Sequence, residues 1–328
     1  MRTGFVRTLT RAALAGATLL AVAQSAAAQT DNYPNRPVRI VVGFAPGGGN
    51  DLFARVIGPR LSERLGQPVV IENKPGAGGR AAAEFVAREP ADGYTVLIGA
   101  SGAMAIGPVI YKTNYQTLKS FIPVSMVADF PLLLAVNAAH PAKNVQELVA
   151  WTKANPEKSN YATSSPAFTL PTELFKMKTG AQGVAIPYKS SGESLLSVIS
   201  GQSTMTIADP PPATPLVQDG RLRALAVTAK SRAPQFPDVP TMAEAGVPDV
   251  VVGLWSGFFV PAGTPSGIVE RLEAEFRHVV LNTDAGAKLK GMAVNPVGGS
   301  SAEFAKAIEA EIVMWTGVVK AGNLTFKE

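Results

Sequence analysis

Residues 38–51 of the chain read VRIVVGFAPGGGND, and this stretch decides the fold. Its first five residues are apolar except for Arg39, which is typical of a buried β-strand. Three glycines then form a turn, and the apolar spacing after Asn50 predicts a helix from about 51 to 65. Backbone N–H groups that glycine leaves unshielded at the positive end of a helix dipole bind small anions. The stretch therefore predicts a strand, a glycine turn and a helix that bind an anion.

The first 28 residues have the pattern of a secretory signal peptide. Arg2, Arg7 and Arg11 precede an apolar run over 12–23, and three alanines at 26–28 supply the small residues of a cleavage site. The apolar run is short for a membrane span, and the chain has no cysteine for a lipid anchor and no arginine pair for the twin-arginine route. We therefore predict a cleavable Sec-type signal peptide, residues 1–28, and a mature protein outside the cytoplasm.

Composition excludes several classes of function. Removing residues 1–28 takes away three arginines and no acidic residue, so the formal net charge falls from +5 to +2. A net charge this close to zero gives no sign of the basic surface that binds nucleic acid or an anionic membrane. The absence of cysteine excludes disulfides, thiolate nucleophiles and sulfur-bound metals. We predict no cofactor, no metal and no nucleic-acid partner.

Strand and helix patterns alternate along the chain, which is typical of an α/β fold with parallel strands. A β-α-β-α-β unit covers 38–100, and a second α/β unit covers 132–228. A proline-rich stretch at 209–215 interrupts the second unit and predicts stiff, extended polyproline II chain. The strand and two helices expected over 254–321 return to the first unit.

These units predict two Rossmann-like lobes with a ligand cleft between them, joined by two crossing strands near 133 and 253. Residues 29–133 plus 254–328 form lobe 1, and residues 134–253 form lobe 2. Ligands of open parallel sheets bind beyond the carboxyl ends of the strands, so the loops at those ends should line the cleft. The predicted loops are rich in Gly, Ser and Thr and cover 44–51, 100–103, 163–169, 188–191 and 209–212.

The sequence resembles the substrate-binding proteins of tripartite tricarboxylate transporters, the Bug family of periplasmic solute receptors. The resemblance spans almost the whole mature chain, and the joint order of the matching motifs makes it specific. The motifs are YPNRP (33–37), FAPGGGND (44–51), ENKPGAGG (72–79), DGYT (92–95), PYK (187–189), LAVT (225–228), PDVPT (237–241), EAG (244–246) and PAGTP (261–265), with Glu311 and Trp315.

This resemblance implies a monomeric α/β protein of the periplasmic binding protein type. It implies a receptor that captures a small carboxylate, such as an organic, amino or aromatic acid, and delivers it to integral membrane transporter subunits. Backbone amides and short polar side chains of facing loops would hold the carboxylate. The residues that match the family's ligand loops are Phe44, Pro46, Gly47, Gly48, Asn50, Asp51, Ala100, Ser101, Thr163, Ser164, Ser165 and Asp209.

Several roles stay open at the level of sequence. Ser164 and Ser165 fit either ligand binding or a helix N-cap, and Asp209 fits either a ligand ammonium group or nearby amides. Phe44 and Phe168 either stack on an aromatic ligand or lie in the core, where phenylalanine is more common. The family's usual Thr is replaced by Asn50, and the segment 161–169 has fewer glycines than in many members.

The rival hypothesis is an exported dinucleotide-binding oxidoreductase. It is supported by a sequence order similar to the Rossmann fingerprint. A strand is followed by the glycine turn at 47–49, and Glu72 stands at the end of the next strand. The imitation fails at the third glycine of that fingerprint, where this chain has Leu52. Templates of serine hydrolases also fail, because Ser101 lacks the second glycine of a nucleophile elbow. We therefore predict a receptor and not an enzyme.

Overall fold

The computed structural model describes residues 32–322, which form two β-sheets with helices packed on them. The predicted signal peptide, residues 1–28, lies outside the described residues. The strands are β1 (Val38–Val42), β2 (Val69–Asn73), β3 (Thr95–Ala100), β4 (Phe121–Pro131), β5 (Leu133–Asn137), β6 (Asn160–Thr163), β7 (Val184–Pro187), β8 (Met205–Ala208), β9 (Leu222–Val227), β10 (Gly253–Pro261) and β11 (Asn295–Pro296).

The α-helices lie between these strands and after them. They are α1 (Gly49–Leu65), α2 (Arg80–Val86), α3 (Gly107–Ile110), α4 (Thr117–Ser120), α5 (Val145–Ala154), α6 (Pro166–Thr179), α7 (Ser191–Ile199), α8 (Pro210–Gln218), α9 (Ser266–Asn282), α10 (Asp284–Gly291) and α11 (Ser301–Gly322). A π-helical turn, Gly102–Ile106, precedes α3. None of the helices within residues 32–322 is long and apolar enough to cross a membrane.

The first sheet has six strands in the order β11-β4-β10-β3-β1-β2. Strand β1 is parallel to β2 and β3, as expected, but β10 is antiparallel to both β3 and β4. The expectation of purely parallel strands is therefore wrong. Strand β4 leaves this sheet towards the second sheet and β10 comes back from it, so the two run in opposite directions.

The second sheet has five strands in the order β7-β6-β8-β5-β9. Strand β6 is parallel to β7 and β8, whereas β5, which enters from the first sheet, is antiparallel to β8 and β9. Both sheets therefore direct several strand ends towards one cleft, which confirms the predicted two-lobed α/β architecture.

Helix α1 shows how the apolar pattern positions the site. Phe53, Ile57 and Leu61, spaced at intervals of four residues, are fully buried on one face of the helix. Gly66 ends the helix in the left-handed conformation, with φ of 67°. Because α1 begins at Gly49 and not near 51, the whole glycine turn lies directly at its N-terminus.

The proline-rich stretch at 209–215 is helical, so the prediction of polyproline II chain is wrong. Pro210, Pro211 and Pro212 form the first turn of α8. The N–H groups of a first turn have no intrahelical partner, so proline removes nothing there, and its fixed φ suits a helix. Helix α6 likewise begins at a proline, Pro166, within the loop predicted over 163–169.

The two crossing segments meet at Thr228, which is completely buried. Its hydroxyl accepts from the Leu132 N–H at 2.8 Å and donates to the Val252 carbonyl at 2.6 Å. Backbone hydrogen bonds also join Thr228 to both of these residues. The chain therefore passes between the sheets at two points that are tied to each other.

Candidate ligand-binding site

A cavity lies between the two sheets, where the loops that follow their strands meet. The space it encloses in this arrangement is small, about 20 Å³, so a ligand larger than a water molecule requires the loops to move apart. All five predicted loops contribute to its wall. The wall consists of Phe44, Gly49, Asn50, Ala100, Ser101, Phe130, Ser164, Ser165, Ala167, Phe168, Ser191, Asp209, Leu254, Trp255 and Ser256.

The cavity brings together seven of the twelve residues expected from the sequence. These seven are Phe44, Asn50, Ala100, Ser101, Ser164, Ser165 and Asp209. The other five, Pro46, Gly47, Gly48, Asp51 and Thr163, do not line it. Pro46 and Gly47 are exposed, while the Thr163 hydroxyl bonds within its own loop, to the Ser165 carbonyl at 3.2 Å and the Thr169 hydroxyl at 2.9 Å.

Asp51 is a structural residue of the glycine turn. Its Oδ2 accepts from the Gly47 N–H and from Arg55 Nε, both at 2.9 Å, and its Oδ1 accepts from Asn73 at 2.9 Å. Burial acts to raise the pKa of Asp51, but these hydrogen bonds outweigh it and lower the pKa. The Gly47 N–H is thus already paired, which corrects the prediction that it is free to bind an anion.

Asn50 ties the start of α1 to the first sheet. Its Nδ2 donates to the Ile98 carbonyl at 3.2 Å, and its Oδ1 accepts from the Ser256 hydroxyl at 2.6 Å. Both ends of this amide therefore have partners on β3 and β10. Asn50 therefore lines the cavity and fixes the position of the N-terminus of α1.

Glycines allow the loops of the two sheets to approach each other. A Cβ atom on Gly48 would lie 3.1 Å from the Ser190 Cβ, and one on Gly102 would lie 2.8 Å from the Ala167 Cβ. These distances leave little or no room for a side chain. The glycines are therefore required for close contact across the cleft, a role that their local sequence pattern does not reveal.

Asp209 ends β8 and lies against the N-terminus of α1, on the other side of the cleft. A Cβ atom on Gly49 would overlap its Oδ2. Burial raises the pKa of Asp209 to about 6, while hydrogen bonds from the Ser191 hydroxyl and the Gly49 N–H act in the opposite direction. The positive end of the α1 dipole thus faces a carboxylate of the protein itself.

Three buried polar atoms around the cavity have no hydrogen-bond partner. They are Ser101 Oγ, Ser164 Oγ and Asp209 Oδ1. The only other such side-chain atom within the described residues is Nε2 of His140, a residue that does not line the cavity. Because buried polar groups are nearly always paired, a cluster of unpaired ones around a cavity indicates a binding site.

Aromatic side chains form much of the remaining wall. Phe44 and Phe168 are each 8% exposed, and both line the cavity. Trp255 also lines it, and its indole N–H donates to Glu311 on α11. Neither Phe130 nor Trp255 is among the site residues expected from the sequence, and β4, which contains Phe130, has no clear strand pattern.

The cavity wall contains no histidine, lysine or arginine among the described residues, and Asp209 is its only carboxylate. Within residues 32–322, no group of three or more acidic or histidine side chains could hold a metal ion. What this arrangement offers is two hydroxyls, one carboxylate oxygen and an apolar wall. These groups are suited to holding a small molecule.

Comparison with known proteins agrees with this geometry. Residues 53–324 match the model of the tripartite tricarboxylate transporter family receptor. The protein BugT of Bordetella pertussis is 35% identical over 308 residues, which cover 92% of this chain and 94% of BugT.

Two solved structures from Rhodopseudomonas palustris are also similar. The protein Rpa4515, solved with adipate, has a TM-score of 0.85 and 37% identity, covering 89% of this chain and 99% of that one. MatC, solved with bound malate, has a TM-score of 0.83 and 31% identity, covering 88% of this chain and all of that one. The chain therefore belongs to the tripartite tricarboxylate transporter receptor family of periplasmic solute-binding proteins.

Proposed function

We propose that the protein captures a small carboxylate in the cavity between its two sheets and delivers it to an integral membrane transporter. The observation that carries this proposal is the set of three unpaired buried atoms around the cavity, at Ser101, Ser164 and Asp209. Similar proteins were solved with adipate and with malate in the same fold. Both of those ligands are small carboxylates.

Two hydroxyls supply the donors for the carboxylate. Ser101 follows β3 and Ser164 follows β6, so one donor comes from each sheet. Helix α6 begins directly after Ser164 and Ser165, and the positive end of its dipole favours a negative charge nearby. This pair replaces the Gly47 and Gly48 amides that the sequence suggested, because the Gly47 N–H is bonded to Asp51.

The proposed working cycle is closure of two lobes around the ligand. Lobe 1 comprises residues 29–133 plus 254–328, lobe 2 comprises residues 134–253, and the two crossings at Thr228 act as the hinge. Closure brings the ligand into contact with both lobes and creates a combined surface for the transporter. We propose that the protein acts as a monomer without catalysis, after export by its signal peptide, residues 1–28.

The oxidoreductase hypothesis finds less support. Glu72, which would hold the ribose of a dinucleotide, forms ion pairs with Lys74 at 2.7 Å and with Arg39 at 3.1 Å. The N-terminus of α1, where a pyrophosphate would bind, faces the carboxylate of Asp209. An anion placed there would meet a like charge.

Titration calorimetry of the purified protein with mono-, di- and tricarboxylates tests the proposal. We expect at least one acid to bind, and we expect the double variant Ser101→Ala with Ser164→Ala to bind it roughly tenfold or more weakly, because each hydroxyl donates to a charged group. Ser266→Ala is the matched control, since this exposed serine lies outside the cavity wall. The proposal fails if no acid binds, or if the double variant binds as tightly as the control.

A further inference from the structure

A groove outside the ligand cavity shares part of the cavity wall. The groove lies beside the two crossing segments, contains Thr228 and Val252 of those segments, and has a volume of about 390 Å³. Phe130, Leu254 and Trp255 line both the groove and the cavity. These three side chains therefore form a partition between the two spaces.

Trp255 is the largest side chain of this partition, and helix α11 holds it at two points. Its indole N–H donates to Glu311 of α11. Its ring meets Phe304 of the same helix edge to face, with ring centroids 4.9 Å apart and planes at 89°. One contact fixes the indole N–H and the other fixes the ring, so together they prevent the indole from turning about its side-chain bonds.

Glu311 is a half-buried carboxylate that accepts from two indole N–H groups. One oxygen accepts from Trp255, and the other accepts from Trp315 at 3.1 Å. Burial raises the pKa of Glu311, and the two indole donors act in the opposite direction. Because burying a carboxylate costs free energy, an apolar side chain would suit a purely structural role better. The hydrogen bonds of Glu311 point instead to a role in positioning Trp255.

We propose that Trp255, positioned by Glu311, closes one end of the ligand cavity and thereby limits the length of the acid that the protein binds. This inference rests on the proposed function and adds to it one specificity-determining residue and one positioning residue. A long acid meets the indole, whereas without the indole its far end would extend into the groove. There the exposed Lys230 and water would favour a second carboxylate.

Titration calorimetry with unbranched dicarboxylates, from succinate to suberate, tests the length limit. We expect Trp255→Ala to raise the affinity for suberate relative to adipate at least about tenfold, because two further methylenes become buried where the indole was. Trp255→Leu, which removes less of the packing against Phe304, keeps the test available if Trp255→Ala does not fold. Glu311→Leu should shift the ratio in the same direction, because it frees the indole to turn. Glu309→Leu, at an exposed position of the same helix, is the matched control and should leave the ratio unchanged.

The positioning of Trp255 can be measured without any ligand. The chain has three tryptophans, so Trp151→Phe with Trp315→Phe leaves Trp255 as the single fluorophore. In that background we expect Glu311→Leu to raise the acrylamide quenching constant, because the indole N–H loses its acceptor. Glu311→Gln should keep the value of the background protein, since its amide oxygen still accepts and no second indole competes for it. Thermal unfolding checks that each variant is folded.

Each outcome decides one step of the inference. An unchanged ratio of suberate to adipate affinity in folded Trp255→Ala or Trp255→Leu overturns the length limit and leaves carboxylate capture intact, as does a folded variant that still binds no suberate. Unchanged quenching in Glu311→Leu, or an equal rise in Glu311→Gln, overturns the positioning role of Glu311. Failure of the wild type to bind any acid, in this series or in the wider panel, overturns the proposed function and the length limit with it.

Discussion

Folding places the Asp209 carboxylate, which follows a strand of the second sheet, beside the N-terminus of α1, which packs on the first sheet. Its local sequence, an acidic residue at a strand end before three prolines, fits either a ligand ammonium group or nearby amides. The tertiary structure adds burial, hydrogen bonds from Ser191 and Gly49, and a place in the cavity wall for a residue whose Oδ1 has no partner. Asp209 therefore contacts the N-terminus of α1 across the cleft and also lines the ligand cavity.

The pH dependence of stability should report this burial. The pKa of Asp209 is about 6 in the folded protein, above its ordinary value of 3.8, so folding favours the protonated form. That contribution is complete only well below pH 3.8 and is lost as the pH rises through 6. Because asparagine does not titrate, we expect the free energy of unfolding of Asp209→Asn minus that of the wild type to rise by about 2 kcal/mol between pH 4 and pH 7. Urea unfolding at both pH values measures it, and an unchanged difference would contradict the assignment.

Gly49 should be intolerant of any side chain. A Cβ atom there overlaps Asp209 Oδ2, so Gly49→Ala prevents the loops from approaching as they do in this structure. We expect ligand affinity to fall at least tenfold with little change in stability, because the overlap is between loops of the two sheets and is relieved when those loops separate. Gly291→Ala is the control, since a Cβ atom there meets nothing within 4 Å. Undiminished affinity in Gly49→Ala would mean that this contact is not part of the bound state.

Among the elements, helix α8 and strand β4 differ most from what their own sequences predict. Three consecutive prolines form a helical turn because the first-turn amides need no intrahelical partner. Strand β4 carries no strong alternation, yet it lies between β10 and β11 and leads into the second sheet. Neighbouring strands, rather than its own propensity, make it a strand.

Thr228 should be critical to the crossing segments. Thr228→Val keeps the shape but leaves the buried Leu132 N–H and Val252 carbonyl without the hydroxyl that pairs with both. We expect a loss of about 2 kcal/mol in the free energy of unfolding, because each unpaired buried group costs roughly 1–3 kcal/mol. Thr316→Val, whose hydroxyl donates within its own helix, should cost less. Equal losses in urea unfolding would argue against a special role for the crossing.

At the scale of the whole molecule, the close contacts across the cleft describe a closed arrangement. The Ala45 N–H donates to the Lys189 carbonyl at 3.2 Å, and Gly102 lies against Ala167. Contacts of this kind join loops of the two sheets around the cavity. A ligand can enter only if they separate, and hinge motion at the crossings provides a route.

Small-angle scattering should detect this motion. We expect the radius of gyration to fall when a binding acid is added to the ligand-free protein, because closure brings the lobes together. Gly49→Ala should show a smaller change, since its side chain obstructs closure. Identical scattering with and without ligand would indicate a rigid pocket in the wild-type protein.

The amino-acid sequence by itself determined the α/β architecture, the two lobes and the five loops that meet at the cleft. Apolar periodicity and glycine turns are local signals, so they identify elements and the ends of strands. The resemblance to the family, rather than these patterns, named seven residues of the cavity wall, including Ser101 and Asp209. Local pattern was sufficient for these loops because each follows a strand that is parallel to its neighbour, β1 with β3 and β6 with β7 and β8, so their ends lie at the same edge of each sheet.

Only the tertiary structure decided which polar groups are free. The Gly47 amide and Asp51 satisfy each other, whereas Ser101, Ser164 and Asp209 keep unpaired atoms around the cavity. Availability depends on hydrogen bonds between residues from distant parts of the chain, such as Asn50 with Ser256. Sequence spacing does not encode such pairings, because they arise only when two separately formed sheets pack against each other.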